Sequence, residues 1–488
     1  MNLEKYFAHF RKNIIGIDQT FISPFGKKKI IYADWIASGR LYKGIEEKLS
    51  KEIFPFVANT HTETSTTGAT MSLAYNESSK IIKDHVGANS DDVLISAGAG
   101  MTTLINKFQR ILGLKIHEKY ISNIKILNRP IVFISHMEHH SNQTSWIETI
   151  AQVEIIPYFE DGNIDLKKFQ NLLNKFKDRE LKITAITSCS NVTGVHTPYH
   201  EIAELMHEND GLCFVDFACS APYVDINMHP INSKQSLDAI YFSPHKFLGG
   251  PGSTGVLVFN KDLYSNKVPD NPGGGTVDWT NPWGKHKYVN DIEAREDGGT
   301  PAFLQTIKTA LVLKLKDQMG VKNILQRENE LHKIVWKNFM KLKNTHVLAS
   351  NFPDRLGVYS FYIDDLHFNL AVQLLNDKFG IQVRGGCSCA GTYGHILLNV
   401  EKNQSNDITY KIDKGDLTLK PGWVRLSIHP TMTNDEIYFI MSAIKELSES
   451  HKEWAADYNY NNQTNEFIFK EGEFSLKNKK RAESWFAF

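Results

Sequence analysis

Short apolar runs alternate with segments of helical periodicity between about residues 90 and 260. Runs of about four to eight apolar residues are typical of strands in a sheet that is covered on both faces. Between them, apolar residues recur every three or four positions, which predicts helices. The alternation favours an α/β domain with a mostly parallel sheet. The predicted strands are 93–96, 131–135, 183–186, 213–216, 240–242 and 255–259, and the predicted helices include 166–176 and 202–207.

After residue 305 the pattern changes to a mixture of helices and strands, which predicts a second, smaller α+β domain. We therefore expect an N-terminal arm (1–30), a large α/β domain (31–305), a small domain (306–450) and a polar extension (451–488) that forms a tail or packs back through its aromatic residues. In the small domain we predict a long helical stretch over 304–342, strands near 358–363 and 424–428, and helices over 368–379 and 435–447.

The composition is that of a globular protein of 488 residues, with 55 Lys+Arg against 55 Asp+Glu. This balance gives no electrostatic footprint for nucleic acid or an anionic membrane. No stretch approaches the roughly 18 uncharged apolar residues that a membrane span needs, and charged residues interrupt the N-terminus. Five cysteines do not make a disulfide framework in a chain of this size. We expect a cytoplasmic protein without nucleic-acid or membrane partners.

Polar residues follow several of the predicted strands. Asp216 ends one of them, and a carboxylate there needs a partner because its burial is otherwise costly. Lys246 follows another strand, beside Ser243 and His245 and before a glycine-rich turn. Thr102 begins a helix after Gly98-Ala99-Gly100, where backbone N–H groups can bind phosphate. Taken singly, these features also fit a surface lysine, a structural ion pair and an ordinary turn.

Pyridoxal phosphate (PLP) requires groups of these kinds together. It needs a lysine for a Schiff base, a carboxylate at its pyridine nitrogen, a flat partner over its ring and donors for its phosphate. In open α/β sheets such groups gather at the carboxyl ends of the strands. His139 and His140 follow strand 131–135 and invite a zinc interpretation, but adjacent histidines point apart and no third ligand has a useful spacing. We therefore predict PLP and no metal, with a histidine stacked on the ring.

In this order the segments resemble the class V aminotransferase family of PLP enzymes, which have fold type I. The resemblance is closest to its cysteine desulfurase and selenocysteine lyase group and runs from Tyr32-Ala33-Asp34 to about Leu447. It implies a large domain with a mostly parallel sheet and a smaller C-terminal α+β domain. It also implies a homodimer, an amino-acid substrate and a sulfur-acceptor protein as a partner.

The resemblance also assigns roles to residues. Lys246, Cys389 and His139 would be catalytic, with a persulfide forming on Cys389 rather than Cys387 as alanine is released. Arg384, Asn191 and Ala37 would bind the substrate. The residues assigned to the cofactor are Lys246, Asp216, His139, Asn191, Met101, Thr102, Ser243, His245, Cys219 and Thr300, the last reaching the phosphate bound in the partner subunit.

Some segments depart from the group's pattern. Cys219 stands where the group has glutamine, and a thiol is a weaker hydrogen-bond partner for the cofactor. Residues 59–64 follow the group only loosely, and residues 392–421 form a longer segment. Another class V reaction (aminotransferase, epimerase or C–S lyase) on a different amino acid is therefore the alternative, and a non-catalytic protein of the same fold is a third. Cys387 and Cys389 are also compatible with a redox pair or half of a metal site.

Overall fold

The structure is a computed structural model that describes residues 2–60, 62–471 and 474–487. Its strands are β1 (Thr20–Ser23), β2 (Gly26–Lys29), β3 (Ile31–Tyr32), β4 (Asp92–Ala97), β5 (Ile131–Ile134), β6 (Gln152–Ile155), β7 (Lys182–Thr187), β8 (Leu212–Asp216), β9 (Ala239–Phe242), β10 (Gly255–Asn260), β11 (Val277–Thr280), β12 (His286–Tyr288), β13 (Thr345–Val347), β14 (Val358–Ile363), β15 (Ile381–Gln382), β16 (Arg384–Gly386), β17 (Trp423–Ser427), β18 (Tyr458–Asn461) and β19 (Glu466–Phe469).

The helices lie between these strands and cover the sheets. They are α1 (Leu3–Lys12), α2 (Lys43–Lys48), α3 (Thr66–His85), α4 (Met101–Ile111), α5 (Glu118–Ile121), α6 (His140–Ile147), α7 (Leu166–Lys175), α8 (Tyr199–His207), α9 (Ile292–Glu296), α10 (Phe303–Met319), α11 (Val321–Phe339), α12 (Phe368–Leu374), α13 (Gly391–Leu397), α14 (Lys402–Asp413), α15 (Asn434–Trp454) and α16 (Phe474–Ser484).

The central sheet has the strand order β4-β10-β9-β8-β7-β5-β6. Strands β4 to β9 all run in one direction. Strand β10 lies between β4 and β9 and runs antiparallel to both. Successive residues of β8 face opposite layers, so that Phe214 packs near Phe108 and Trp146 while Cys213 and Val215 join the other core. Because both faces are covered, these strands read as unbroken apolar runs.

The predicted α/β class and its buried strands are confirmed, and each predicted strand differs from the structure by at most one residue at either end. Strand β6 escaped prediction because it lies at the sheet edge, is half-exposed and includes Gln152 and Glu154. The long stretch predicted over 304–342 is helical, but it is not a single helix. It consists of α10 and α11, which are separated at Gly320, where φ is 73°.

A second, antiparallel sheet with the order β13-β14-β17-β16 forms the core of the C-terminal region. The N-terminal segment and the β18–β19 hairpin pack on this region. In the N-terminal segment, Arg11 pairs with Glu436 at 2.5 Å, and β3 runs parallel to β15. The extension forms the β18–β19 hairpin, while Trp485 and Phe486 are exposed and Phe488 lies outside the described residues.

The parallel strands determine where functional side chains meet. The carboxyl ends of β4, β5, β7, β8 and β9 lie at the same edge of the sheet, because these strands share one direction. The loop after each of these strands therefore opens onto one region. In the part of the chain that the structure describes, no helix has both the length and the apolar character for crossing a membrane.

The packing between β8 and the helices gives a test of the core. We expect Phe214→Ala to lower the free energy of unfolding by about 3–5 kcal/mol, because it leaves a cavity among fully buried aromatic rings. Urea unfolding followed by tryptophan fluorescence measures the loss. Phe159→Ala is the matched control, since that ring is 48% exposed, and should cost about 1 kcal/mol. Equal losses in both variants would contradict this description of the core.

Candidate active site

A cavity of about 240 Å³ lies where the carboxyl ends of the parallel strands meet the C-terminal region. Every residue predicted to bind cofactor or substrate lines it, with the exception of Thr300, which is exposed elsewhere. A larger cleft of about 910 Å³ beside α3 and β4 contains none of them. The lining residues that the sequence analysis missed include Ile36, Gly100, Ser141, Thr187, Ala218, Ser388 and Arg425.

Lys246 and Asp216 lie on adjacent loops of the sheet. Asp216 ends β8, and Lys246 ends a short 3₁₀ turn that follows the neighbouring strand β9. Burial raises the pKa of Asp216 to about 6, and a bond of 2.8 Å from the Ala218 N–H to its Oδ1 opposes the shift. Burial lowers the pKa of Lys246, and within the described residues its Nζ has no hydrogen-bond partner. The pair thus offers an amine that gives up its proton readily and a buried carboxylate suited to a cationic partner.

Hydrogen-bond donors cluster at the N-terminus of α4. The N–H of Met101 donates to Ser243 Oγ at 3.0 Å, and Thr102 Oγ1 donates to Ser141 Oγ at 2.8 Å. A Cβ on Gly100 would lie 3.2 Å from Ser243 Oγ. The glycine therefore leaves open the space beside this hydroxyl, which a side chain would occupy. His245 also lines the cavity here, and burial lowers its pKa to about 4. Backbone N–H groups and hydroxyls at a helix N-terminus form an anion site.

His139 sits between β5 and α6 and caps the helix, because its Nδ1 accepts a bond from the Ser141 N–H at 3.1 Å. Burial lowers its pKa to about 3, so the ring is neutral at physiological pH. The preceding Glu138 is buried and accepts bonds from Ser135 Oγ at 2.5 Å and the Thr187 N–H at 2.9 Å. Glu138 thereby joins the end of β5 to the end of β7 and fixes the turn that presents His139.

Two arginines share one carboxylate at the cavity. Asp34 accepts a bond of 3.0 Å from Arg384 Nε and one of 2.9 Å from an Nη of Arg425. Arg425 is buried and also donates to the Asn191 carbonyl at 3.2 Å. Arg384 is half-exposed, and its terminal nitrogens have no hydrogen-bond partner among the described residues. One buried carboxylate therefore orients two cations, which leaves net positive charge available for an anionic ligand.

The loop that bears Cys389 holds an unusual backbone conformation. Ser388 (φ 53°) and Cys389 (φ 56°) are both left-handed, which costs about 1–2 kcal/mol per non-glycine residue. Bonds from outside the loop oppose this strain, including one of 2.8 Å from Asn191 Nδ2 to the Ser388 carbonyl. Cys389 is exposed and lines the cavity, whereas Cys387 packs at the margin of an apolar cluster that contains Met137.

The remaining thiols are buried beneath the cavity. Cys219 lines it and donates to the Ser190 carbonyl at 3.5 Å. Cys189 lies next to Cys219, and burial raises its pKa well above the ordinary value. Cys213 is buried in β8, and its pKa is raised to about 12 for the same reason. All three thiols are buried, unlike the exposed Cys389, and access is one condition for a reactive thiol.

The donor set fits PLP. The α4 terminus with Ser243 and His245 suits the phosphate, and Asp216 suits a protonated pyridine nitrogen. Asn191 Oδ1 is buried and has no hydrogen-bond partner among the described residues, as expected for a group that faces a ligand. Lys246 supplies the amine that a Schiff base requires, and burial lowers its pKa.

Comparison with known proteins places the chain in a family. Residues 31–439 match the family described as Aminotransferase class-V. The chain belongs to that family. Among curated class V relatives, a probable cysteine desulfurase from Halalkalibacterium halodurans is 27% identical over 365 residues, which cover 74% of this chain and 84% of the relative. One from Pyrococcus abyssi is 25% identical over 427 residues, covering 87% and 95%.

Solved structures show the same fold. The apo cysteine desulfurase from Thermococcus onnurineus NA1 has a TM-score of 0.72 at 23% identity and covers 91% of this chain and 98% of its own. The cysteine desulfurase CsdA from Escherichia coli has a TM-score of 0.68 at 18% identity, with the same coverages. The predicted class V membership and fold type I are therefore confirmed.

The shared carboxylate gives a second test. We expect Asp34→Asn to lower the free energy of unfolding by about 3 kcal/mol, because buried Arg425 loses its counter-charge while the side-chain volume is kept. Thermal unfolding of the class V protein measures the change. Asp18→Asn is the control, since Asp18 pairs with Lys29 in solvent and should leave the midpoint unchanged. A midpoint for Asp34→Asn equal to wild type would show that Asp34 does not stabilise the arginines.

Proposed function

We propose that this protein is a PLP-dependent enzyme of the cysteine desulfurase or selenocysteine lyase type. It would transfer sulfur from cysteine to Cys389 and release alanine. The observation that carries the proposal is the exposed Cys389 thiol at the rim of the cavity that Lys246, Asp216 and His139 line. The curated relatives named as cysteine desulfurases support the same reaction.

The proposed cofactor contacts follow from the donor set. Met101, Thr102, Ser243 and His245 would hold the phosphate, together with Thr300 from the partner subunit. Asp216 would hold the pyridine nitrogen, His139 would stack on the ring, and Asn191 and Cys219 would contact its edge. When bound, PLP supplies an electron sink for the charge that develops on the substrate carbon.

The proposed substrate contacts use the positive charge at the cavity. Among the described residues the terminal nitrogens of Arg384 have no hydrogen-bond partner, and they would bind the substrate carboxylate bidentately. Buried Arg425 would hold Asp34 and Arg384 in place rather than reach solvent. Asn191 and Ala37 line the same wall and would limit the space around the substrate. The cavity volume of about 240 Å³ suits a small amino acid beside the cofactor.

Lys246 and Cys389 would share the chemical work. The Lys246 amine, whose pKa burial lowers, would take the substrate α-proton and later return a proton to carbon. The Cys389 thiolate would attack the substrate sulfur, so that an S–S bond forms as the C–S bond breaks and its electron pair stays with the carbon fragment. Protonation of that fragment gives alanine, and Cys389 is left as a persulfide. No external oxidant or reductant is needed for this half-reaction.

Transfer from the persulfide requires an acceptor thiol, and a sulfur-acceptor protein would supply it at the exposed Cys389. We also propose a cytoplasmic homodimer. The position of Thr300 supports the dimer, because this residue is exposed and lies outside the cavity of its own chain. Size-exclusion chromatography with light scattering would test the assembly.

A different class V reaction is the second candidate, as an aminotransferase, epimerase or C–S lyase acting on another amino acid. Cys219 favours it, because this thiol lies at the cavity where the desulfurase group has glutamine. The two candidates differ in their products. Incubation with a panel of amino acids, followed by product analysis, separates alanine release from transamination, racemisation or elimination.

Removal of Lys246 tests the cofactor. We expect purified protein reconstituted with PLP to be yellow and Lys246→Ala to lose the lysine-bound absorbance. Lys246 is the one lysine among the described residues that line the cavity, so its amine would form the covalent link. Absorbance spectroscopy after desalting measures it. Lys261→Ala is a matched control, since Lys261 follows the next strand but is half-exposed and pairs with Asp91. Wild-type protein that stays colourless with added PLP would rule out both enzymatic candidates.

Replacement of each of the two loop cysteines by alanine tests which thiol is the nucleophile. We expect Cys389→Ala to reduce alanine release from cysteine by at least about a thousandfold, because the sulfur then has no attacking thiolate. Cys387→Ala should keep the rate within about threefold, since this thiol packs against apolar side chains. Mass spectrometry after incubation with cysteine should place the added sulfur on Cys389. A persulfide on Cys387, or full turnover by Cys389→Ala, would refute the assignment.

A further inference from the structure

The Cys389 loop does not hold its own conformation. Ser388 and Cys389 are both in the left-handed region, where L side chains are disfavoured. Within the loop, the backbone is closed by one described bond, from the Ala390 N–H to the Cys387 carbonyl at 3.0 Å. The loop therefore depends on partners in neighbouring elements to keep the thiol at the cavity rim.

His140 makes two hydrogen bonds to the loop, one at Cys389 and one just after it. Its backbone N–H donates to the Cys389 carbonyl at 2.7 Å. Its ring Nε2 accepts a bond of 2.8 Å from the N–H of Gly391. Because Gly391 is the first residue of α13, this N–H has no partner within its own helix. The His140 side chain therefore caps α13, and its backbone N–H holds the C-terminal side of the two strained residues.

The bond requires a neutral imidazole. An N–H donor needs an unprotonated Nε2, which places the ring proton on Nδ1. Burial lowers the pKa of His140, so this form persists at neutral pH. A second contact lies one turn further along α6, where Gln143 and Thr392 exchange bonds of 2.8 and 3.0 Å. Residues i and i+3 of a helix share a face, so this face of α6 is directed at the loop.

The same turn also faces the cofactor cavity. His139 immediately precedes α6 and lines the cavity, while His140 turns to the Cys389 loop. The buried Glu138, which directly precedes His139, accepts a hydrogen bond of 2.7 Å from Asn142 Nδ2. This bond restrains the turn that carries both histidines. One turn therefore carries both the His139 ring, which is proposed to stack on the cofactor, and the His140 ring, which bonds to the Cys389 loop.

We propose that His140 is a positioning residue, which holds the Cys389 thiol at a fixed place relative to the cofactor by accepting the Gly391 N–H. The inference rests on the proposed function, because the position of the thiol matters for turnover only if Cys389 attacks the substrate. It also explains how a surface loop can keep two left-handed residues without glycine.

The test compares two substitutions of His140. His140→Leu keeps volume but removes the acceptor, whereas the side-chain carbonyl of His140→Gln can still accept the Gly391 N–H. Hydrogen–deuterium exchange of the Gly391 amide should become about tenfold faster in His140→Leu, since one hydrogen bond is lost. It should stay within about threefold of wild type in His140→Gln.

Steady-state kinetics of alanine release give the second readout. We expect kcat to fall about tenfold in His140→Leu while KM changes less than about twofold, because Arg384 and the cavity are untouched. The kcat of His140→Gln should stay within about threefold of wild type, which is half of the expected tenfold loss on a logarithmic scale. Equal losses in both variants, or wild-type exchange and kcat in His140→Leu, would overturn the proposal.

Two further variants keep the test decisive. His200→Leu is the matched control, because this half-buried histidine of α8 makes a comparable 2.8 Å bond, to the Gln235 carbonyl, and should leave Gly391 exchange unchanged. Gln143→Ala should raise the exchange rate of the Gly391 amide by no more than about threefold. If Gln143→Ala equals His140→Leu, general packing of α6 holds the loop and the proposal fails. If wild type releases no alanine, the proposed function fails, whereas the exchange comparison still tests the contact.

Discussion

The parallel register of β8 and β9 is the constraint on which the site depends. Asp216 pairs in register with Tyr241, so the end of β8 lies beside the loop that carries Lys246. The two charged groups are held by strands whose side chains are buried on both faces, and this keeps them in a medium of low dielectric constant. Burial there raises the pKa of Asp216 and lowers that of Lys246. The fold thus produces the electrostatics that the chemistry needs.

The C-terminal region completes the cavity through the ion pairs that its arginines make with Asp34. This residue follows β3, which runs parallel to β15 of the C-terminal region, and it accepts bonds from Arg384 and Arg425 on β16 and β17. A single buried carboxylate therefore ties the N-terminal segment to the strands that present both cations. The ion pair joins regions far apart in sequence, and without it the wall opposite Lys246 would carry two uncompensated charges.

Much of this could be predicted from sequence, because buried parallel strands and the polar residues after them leave a local signal. Asp216 ends an apolar run, and Lys246 and Thr102 each follow one within about five residues. Arg425 left no such signal, since it lies within a strand that reads as apolar and its partner is 391 positions away. The role of His140 was hidden for the same reason: its hydrogen bonds join segments about 250 residues apart, and only tertiary structure shows which of two adjacent histidines faces which partner.

The two loop thiols have different surroundings in the structure, although they are the same residue type two positions apart in the sequence. Cys387 and Cys389 share a loop, yet they face opposite sides because the backbone between them turns through left-handed residues. That turn directs Cys387 towards an apolar cluster and leaves Cys389 exposed at the cavity rim. A loop without this turn would not separate the surroundings of the two thiols in this way. The left-handed backbone is therefore what separates the two thiols, and bonds from Asn191 and from His140 of α6 oppose its strain.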